Sequence, residues 1–229
     1  MRPAFPNPHS PVPQIKVCGL TRLSDALVCA EHGIDAIGIN FWPKSKRFHA
    51  LADASQWLEQ VPESLTRVAV FVNASVEEVT EIMASGLIDV AQFHGDETDE
   101  YVSHFLDSGI PVIRALSARS EADLEKISRS PVRSILLDAY QPGVYGGTGQ
   151  TCDWELAARA VKMFPEKHII LSGGLTALNS AQAIREVHPV AIDLASGVES
   201  APGIKDAEMI RLLANAVRSA TSNPPLPHP

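Results

Sequence analysis

Cysteine is scarce in this chain. The 229 residues contain only Cys18, Cys29 and Cys152, an odd and widely spaced set with no CxxC or His-rich ligand pattern. That argues against both a disulfide framework and a zinc site. The chain reads as cytoplasmic and reduced, with no metal expected. Runs of Lys and Arg are also missing. At a formal net charge of -8, no basic stripe is available to track a nucleic-acid backbone or an anionic membrane. A small molecule is therefore the expected partner. Apolar runs of membrane-spanning length are absent too. The opening stretch MRPAFPNPHSPVP has too many prolines and too few apolar residues for a signal peptide.

What is present is alternation. From Gln14 onward, short β-rich runs at 14–18, 36–40, 67–72, 90–94, 112–115, 134–138, 168–171 and 190–194 alternate with helical patterns such as 24–32, 75–85, 98–108, 120–128, 153–164 and 205–220. Such alternation predicts a parallel sheet with crossover helices. Eight units over this length close more naturally into a single (β/α)8 TIM barrel than into an open sheet. The expected organisation is a flexible Pro-rich extension over 1–13, one catalytic barrel over 14–220 and a disordered tail over 221–229.

The stretch from His168 to Glu199 contains one device twice: Ile169-Ile170-Leu171 runs into Ser172-Gly173-Gly174, and Val190-Ala191-Ile192 into Ala195-Ser196-Gly197. Glycines let the backbone approach a ligand, and a following helix start, read as capped by Thr176, adds its dipole. Either turn alone is ordinary punctuation. Two on adjacent strand ends near the C-terminus are what a (β/α)8 barrel uses to hold a phosphate.

Other strand ends carry reactive groups. On the first strand Lys16 and Cys18 share a face and Ile15 and Val17 the other, which puts Cys18 inside the barrel at its mouth. After the second strand, Lys44, Lys46 and Arg47 mix with Phe41, Trp42 and Phe48. This is either a solvated basic loop or a site for a carboxylate on an aromatic ring. On the fourth, Gln92 and His94 share a face, His94 reading equally as a site residue or a structural histidine. The sixth ends at Asp138, with no helix starting behind it for it to cap. Glycine-rich loops as long as the following 139–152 are usually functional, so Asp138 reads as a general acid beneath a mobile loop.

Taken together, Lys16-Val17-Cys18-Gly19-Leu20, Val70-Phe71-Val72-Asn73, Gln92-Phe93-His94-Gly95-Asp96-Glu97, Leu137-Asp138, Gly146-Gly147-Thr148-Gly149 with Asp153-Trp154, Ser172-Gly173-Gly174-Leu175 and Asp193 through Glu199 with Lys205-Asp206 closely resemble the phosphoribosylanthranilate isomerases of tryptophan biosynthesis. The match runs in order from Ile15 to Leu213. The resemblance implies Cys18 as general base, Asp138 as general acid and Arg47 as a clamp for the anthranilate carboxylate. It sets His94 and Asp193 near the substrate and makes the backbones of Gly173, Gly174, Ser196 and Gly197 the phosphate cradle. It implies a cofactor-free Amadori rearrangement of a phosphosugar, by a monomer or homodimer. Gln150, Cys152 and Ala195 depart from the family pattern, where Lys, an aromatic residue and Ser are usual.

Rival readings differ in what they require. An epimerase needs paired acidic residues or metal-ligating histidines at its strand ends. A Schiff-base aldolase needs a lysine near the mouth, and Lys16 is the only lysine within the eight strand-like runs. A non-enzymatic phosphate-ligand sensor has no need of an acid and a base on opposite sides of its site.

Overall fold

Strands β1 (Gln14–Cys18), β2 (Ala36–Asn40), β3 (Thr66–Phe71), β4 (Val90–Phe93), β5 (Val112–Ser117), β6 (Ser134–Asp138), β7 (His168–Leu171) and β8 (Ala191–Leu194) pair in parallel and in chain order. β8 pairs back onto β1 and closes the barrel. The computed structural model describes residues 2–139 and 152–222. Helices α1 (Leu23–Glu31), α2 (Leu51–Leu58), α3 (Val76–Ala84), α4 (Asp99–Asp107), α5 (Glu121–Arg129), α6 (Trp154–Met163), α7 (Ser180–Val187) and α8 (Ala207–Ser222) complete the eight units. The chain is a (β/α)8 barrel, as the alternation implies. Among the described residues, no helix is long and apolar enough to cross a membrane.

Strand alternation sorts the core into two parts. Ile15, Val17, Ile37, Ile39, Ile135, Leu137, Ile169 and Leu171 face outward into the layer beneath the helices. Ala36, Val68, Val90, Ile113, Leu136, Ile170 and Ala191 form a smaller cluster inside the barrel. Above that apolar plug the inward positions turn polar, which builds the site.

Several helix starts follow their caps. Ser75, Thr98 and Asp153 each accept the backbone N–H three residues on, from Glu78, Tyr101 and Leu156, satisfying a donor the helix leaves open. α2 and α7 lie outside the six helical patterns above, and both begin without a side-chain cap. Thr176 does not open a helix. Its N–H is taken by Asn179 Oδ1, and α7 starts only at Ser180. The turn after β7 therefore offers its own amides without an immediate helix end. After β8 the chain makes a 3-10 turn at Ser196–Val198 and a two-stranded hairpin, β9 (Glu199–Ala201) with β10 (Ile204–Lys205), before α8.

The expectation of an extension lying outside the fold does not describe residues 2–13. Phe5 is only 5% exposed and belongs to the cluster inside the barrel. Arg2 donates to the carbonyls of Val61, Pro62 and Leu65, and Thr66 Oγ1 donates to the Pro3 carbonyl. Burial of the aromatic ring at the open lower end of the barrel offsets part of the chain freedom that the segment loses, and the Arg2 and Thr66 hydrogen bonds add to it. The tail from 223 onward lies outside the described residues.

Candidate active site

A cavity of about 480 Å³ opens at the C-terminal ends of the strands, and its walls include Cys18, Arg47, His94, Asp138, Gly173, Gly174, Asp193, Ser196 and Gly197. All nine residues singled out from the sequence meet there. Each strand contributes through its inward positions: Cys18 from the end of β1, Asp138 from that of β6, Asp193 from β8. β6 and β1 flank β7 and β8, so Cys18 and Asp138 stand on either side of the two turns.

The turns are shaped to receive an anion. Gly173 and Gly174 have φ of 84° and 61°, the left-handed region that costs glycine least. Among the described residues, no acceptor is paired with the backbone N–H of Gly173, Gly174 or Ser196. Unpaired amides at a cavity wall attract negative charge. The two turns also pack closely, since a Cβ on Gly197 would lie 2.0 Å from the Leu175 carbonyl oxygen.

Beneath Cys18 lies a buried ammonium. The β1–β8 register sets Lys16 against Asp193, and Lys16 Nζ donates to Asp193 Oδ1 at 2.9 Å. Lys16 has no solvent exposure. Burial alone depresses its pKa, but the charges of Asp193 and of the Cys18 sulfur raise it above the ordinary lysine value. Room for this contact comes from β2. A Cβ on Gly38 would stand 2.7 Å from Cys18 Sγ and 3.1 Å from Lys16 Nζ. For Cys18 itself, burial pushes the thiol up and Lys16 draws it back, leaving it above the usual thiol range.

On the opposite side, His94 Nε2 lies 3.1 Å from Asp138 Oδ2, and His94 Nδ1 lies 3.1 Å from Gln92 Nε2. Asp138 Oδ1 accepts the Ala139 N–H at 2.8 Å, which fixes the carboxyl plane. Among the described residues, Gln92 Oε1 is buried without a partner. The loop expected to cover Asp138 falls largely on residues 140–151, outside those described.

Arg47 reaches the cavity with part of its guanidinium already engaged. Nε and Nη2 donate to Glu199 at 2.8 and 2.7 Å. Glu199 also accepts from Lys205 Nζ at 2.7 Å. Burial raises the Glu199 pKa, but these cations outweigh it and hold the carboxylate below its ordinary value. Glu199 and Lys205 escaped notice as site residues because their burial depends on the β9–β10 hairpin, which is too short to show a period. Among the described residues, no group of three or more His, Cys, Asp or Glu could hold a metal ion.

A closed parallel barrel with a thiol and a carboxyl group either side of two glycine-containing turns at its C-terminal mouth has the layout of a (β/α)8 enzyme of phosphorylated small molecules. The family model of N-(5'phosphoribosyl)anthranilate (PRA) isomerase matches residues 15–216, and the chain belongs to that family. The N-(5'-phosphoribosyl)anthranilate isomerase of Syntrophus aciditrophicus (strain SB) is 46% identical over 205 residues, covering 90% of this chain and 87% of its own. Among solved structures, the phosphoribosyl anthranilate isomerase of Thermotoga maritima superposes with a TM-score of 0.82 at 36% identity, covering 90% of this chain and 99% of its own. A phosphoribosyl anthranilate isomerase in complex with reduced 1-(o-carboxyphenylamino)-1-deoxyribulose 5-phosphate superposes at 0.78 with 32% identity, covering 90% and 99%.

Proposed function

We propose that this chain isomerises N-(5-phosphoribosyl)anthranilate to 1-(2-carboxyphenylamino)-1-deoxyribulose 5-phosphate in the cytoplasm, as a step of tryptophan biosynthesis. The observation that carries this reading is the meeting in one cavity of Cys18, Asp138 and two turns whose amides have no acceptor among the described residues. Asp138 delivers a proton to the ribose ring oxygen, and the C1–O bond breaks to leave an iminium. Conjugation to that iminium acidifies the C2 proton, which the Cys18 thiolate removes. The resulting enolamine takes a proton at C1 and loses one from the C2 hydroxyl, giving the ketoamine. The iminium is itself the electron sink, so the scheme calls on no metal or organic cofactor.

The turns at Gly173, Gly174, Ser196 and Gly197 hold the phosphate through backbone amides. Arg47 meets the anthranilate carboxylate, with Glu199 fixing the guanidinium plane. His94 orients the Asp138 carboxyl, and Asp193, held by Lys16, faces the sugar. Adding the protein to N-(5-phosphoribosyl)anthranilate and following the substrate fluorescence tests the proposal. Decay at a rate proportional to protein concentration is expected; binding without decay would favour a sensor of phosphorylated ligands.

A further inference from the structure

Cys18 sits at the edge of a larger group of buried charges. Lys205 is almost fully buried, and its three N–H bonds have three acceptors: the Cys18 carbonyl oxygen at 2.5 Å, the Ala195 carbonyl oxygen at 3.3 Å and Glu199 Oε1 at 2.7 Å. That is the full donor complement of a protonated amine. Lys205 thus ties the end of β1, which bears the thiol, to the start of the turn after β8. Glu199 continues the chain to Arg47, and Lys16 and Asp193 close it on the other side of the sulfur. Lys16, Lys205 and Arg47 bring three positive charges and Asp193 and Glu199 two negative ones, so one positive charge is in excess.

The surroundings do not cancel that excess. Asp25 of α1, which accepts the Lys205 amide N–H, is balanced by Arg22. β2 presents the uncharged Gly38 and Asn40. Asp138, hydrogen-bonded to His94, lies across the cavity and outside the cluster. Lys44 and Lys46 are exposed at the rim and add only positive charge. Residues 140–151 contain no Asp, Glu, Lys, Arg or His.

We propose that Lys16 and Lys205 are positioning residues for the base: with Arg47, Asp193 and Glu199 they form a buried cluster one positive charge in excess, which the Cys18 thiolate neutralises. The inference rests on the reading of Cys18 as proton acceptor. The excess cation works against burial, which still leaves the thiol above its usual range, since an uncompensated buried cation favours a neighbouring anion.

The test is the pH dependence of Cys18 alkylation by iodoacetamide in the full-length, substrate-free protein, read by mass spectrometry of the Cys18 peptide. Lys16→Met and Lys205→Met are expected to raise the midpoint by about one pH unit or more, a roughly tenfold lower thiolate fraction at neutral pH. Lys205→Arg, which keeps the charge, is expected to return it toward wild type. Glu199→Gln and Asp193→Asn remove negative charge and are expected to lower it. A purely structural role predicts no such reversal of sign, so midpoints that all move together, or not at all, overturn the proposal. If the Lys variants do not fold, the two carboxylate variants still decide. Turnover surviving in Cys18→Ala would instead remove the thiolate from the reaction while leaving this titration intact.

Discussion

Lys16 Nζ and Asp193 Oδ1 meet at 2.9 Å across the seam where β8 closes onto β1, with the lysine wholly shielded from water. Desolvating two charges offsets much of their attraction, so such a pair is weak evidence of net stabilisation, whereas leaving one partner alone is costly. Lys16→Met should therefore destabilise the protein by about 3–5 kcal/mol. Lys16→Met combined with Asp193→Leu should recover a large part of that loss. Urea midpoints of the three proteins check this, and a double variant no better than the single would mean that Asp193 is satisfied without Lys16.

Gly38 gives a more local test. Its missing side chain is what lets the Lys16 ammonium and the Cys18 sulfur share the space inside β2. Gly38→Ala forces one of them aside by a fraction of an ångström to an ångström, and displacements of that size cost about 10²-fold in rate. kcat should fall by about that factor while the circular dichroism spectrum is retained. Wild-type kcat in Gly38→Ala would show that the contact is irrelevant to turnover.

These two residues also mark what can be read from a sequence. Period-two alternation put Lys16 and Cys18 on one face, and eight such strands close into a barrel whose inward positions must meet, so the cavity follows from pattern and topology. Arg47 was legible as a cation beside aromatics, but not as a guanidinium already forked onto Glu199, because that pairing spans 152 residues. Phe5 reads with its prolines as loose chain, since a lone aromatic in a Pro-rich stretch has no period to betray its burial. Thr176 has the right side chain for a cap, but the two glycines before it shape a turn that runs on to Asn179 before the helix can start.

Arg47 is expected to act through substrate affinity. It is assigned to a carboxylate remote from the bonds that change, so Arg47→Ala should raise KM more than it lowers kcat. A hydrogen bond to a charged group is worth about 1.5–3 kcal/mol, or roughly ten- to hundredfold in KM. Steady-state kinetics decide, and a collapsed kcat at unchanged KM would move Arg47 to the reacting centre.

Glu199 gives the stability of the fold a pH dependence of known sign. Burial raises its pKa, but Arg47 and Lys205 more than reverse this and hold it below the ordinary glutamate value. A depressed carboxylate contributes stability above its unfolded pKa of about 4.3, and that contribution disappears as pH falls through the lower folded value. The difference in melting temperature between wild type and Glu199→Gln should therefore be largest near neutral pH and shrink below about pH 4. A gap that stays constant from neutral to acid pH would mean that the carboxylate gains nothing from its two cations.

Phe5 separates the two ends of the barrel. Its ring is buried against Ala36, Val68, Val90 and Ile113, at the end where Thr66 and Gln14 begin their strands and hold the segment by Thr66 Oγ1 to Pro3 and Gln14 Nε2 to Ala4. The apolar plug then stands between it and the polar mouth. Truncating a buried Phe to Ala costs about 3–5 kcal/mol, through lost transfer energy and the cavity left behind. That is a large part of the roughly 5–15 kcal/mol a domain has available. Phe5→Ala should accordingly lower the urea midpoint strongly, yet leave kcat and KM within about twofold at a temperature where the variant remains folded, because among the described residues the cluster that holds the ring shares no member with the cavity walls. Deleting residues 1–8 should reproduce the stability loss, since it removes the same ring together with the Arg2 contacts. If either change left the unfolding midpoint where it was, the segment would be a passive appendage and the lower end of the barrel would be sealed without it.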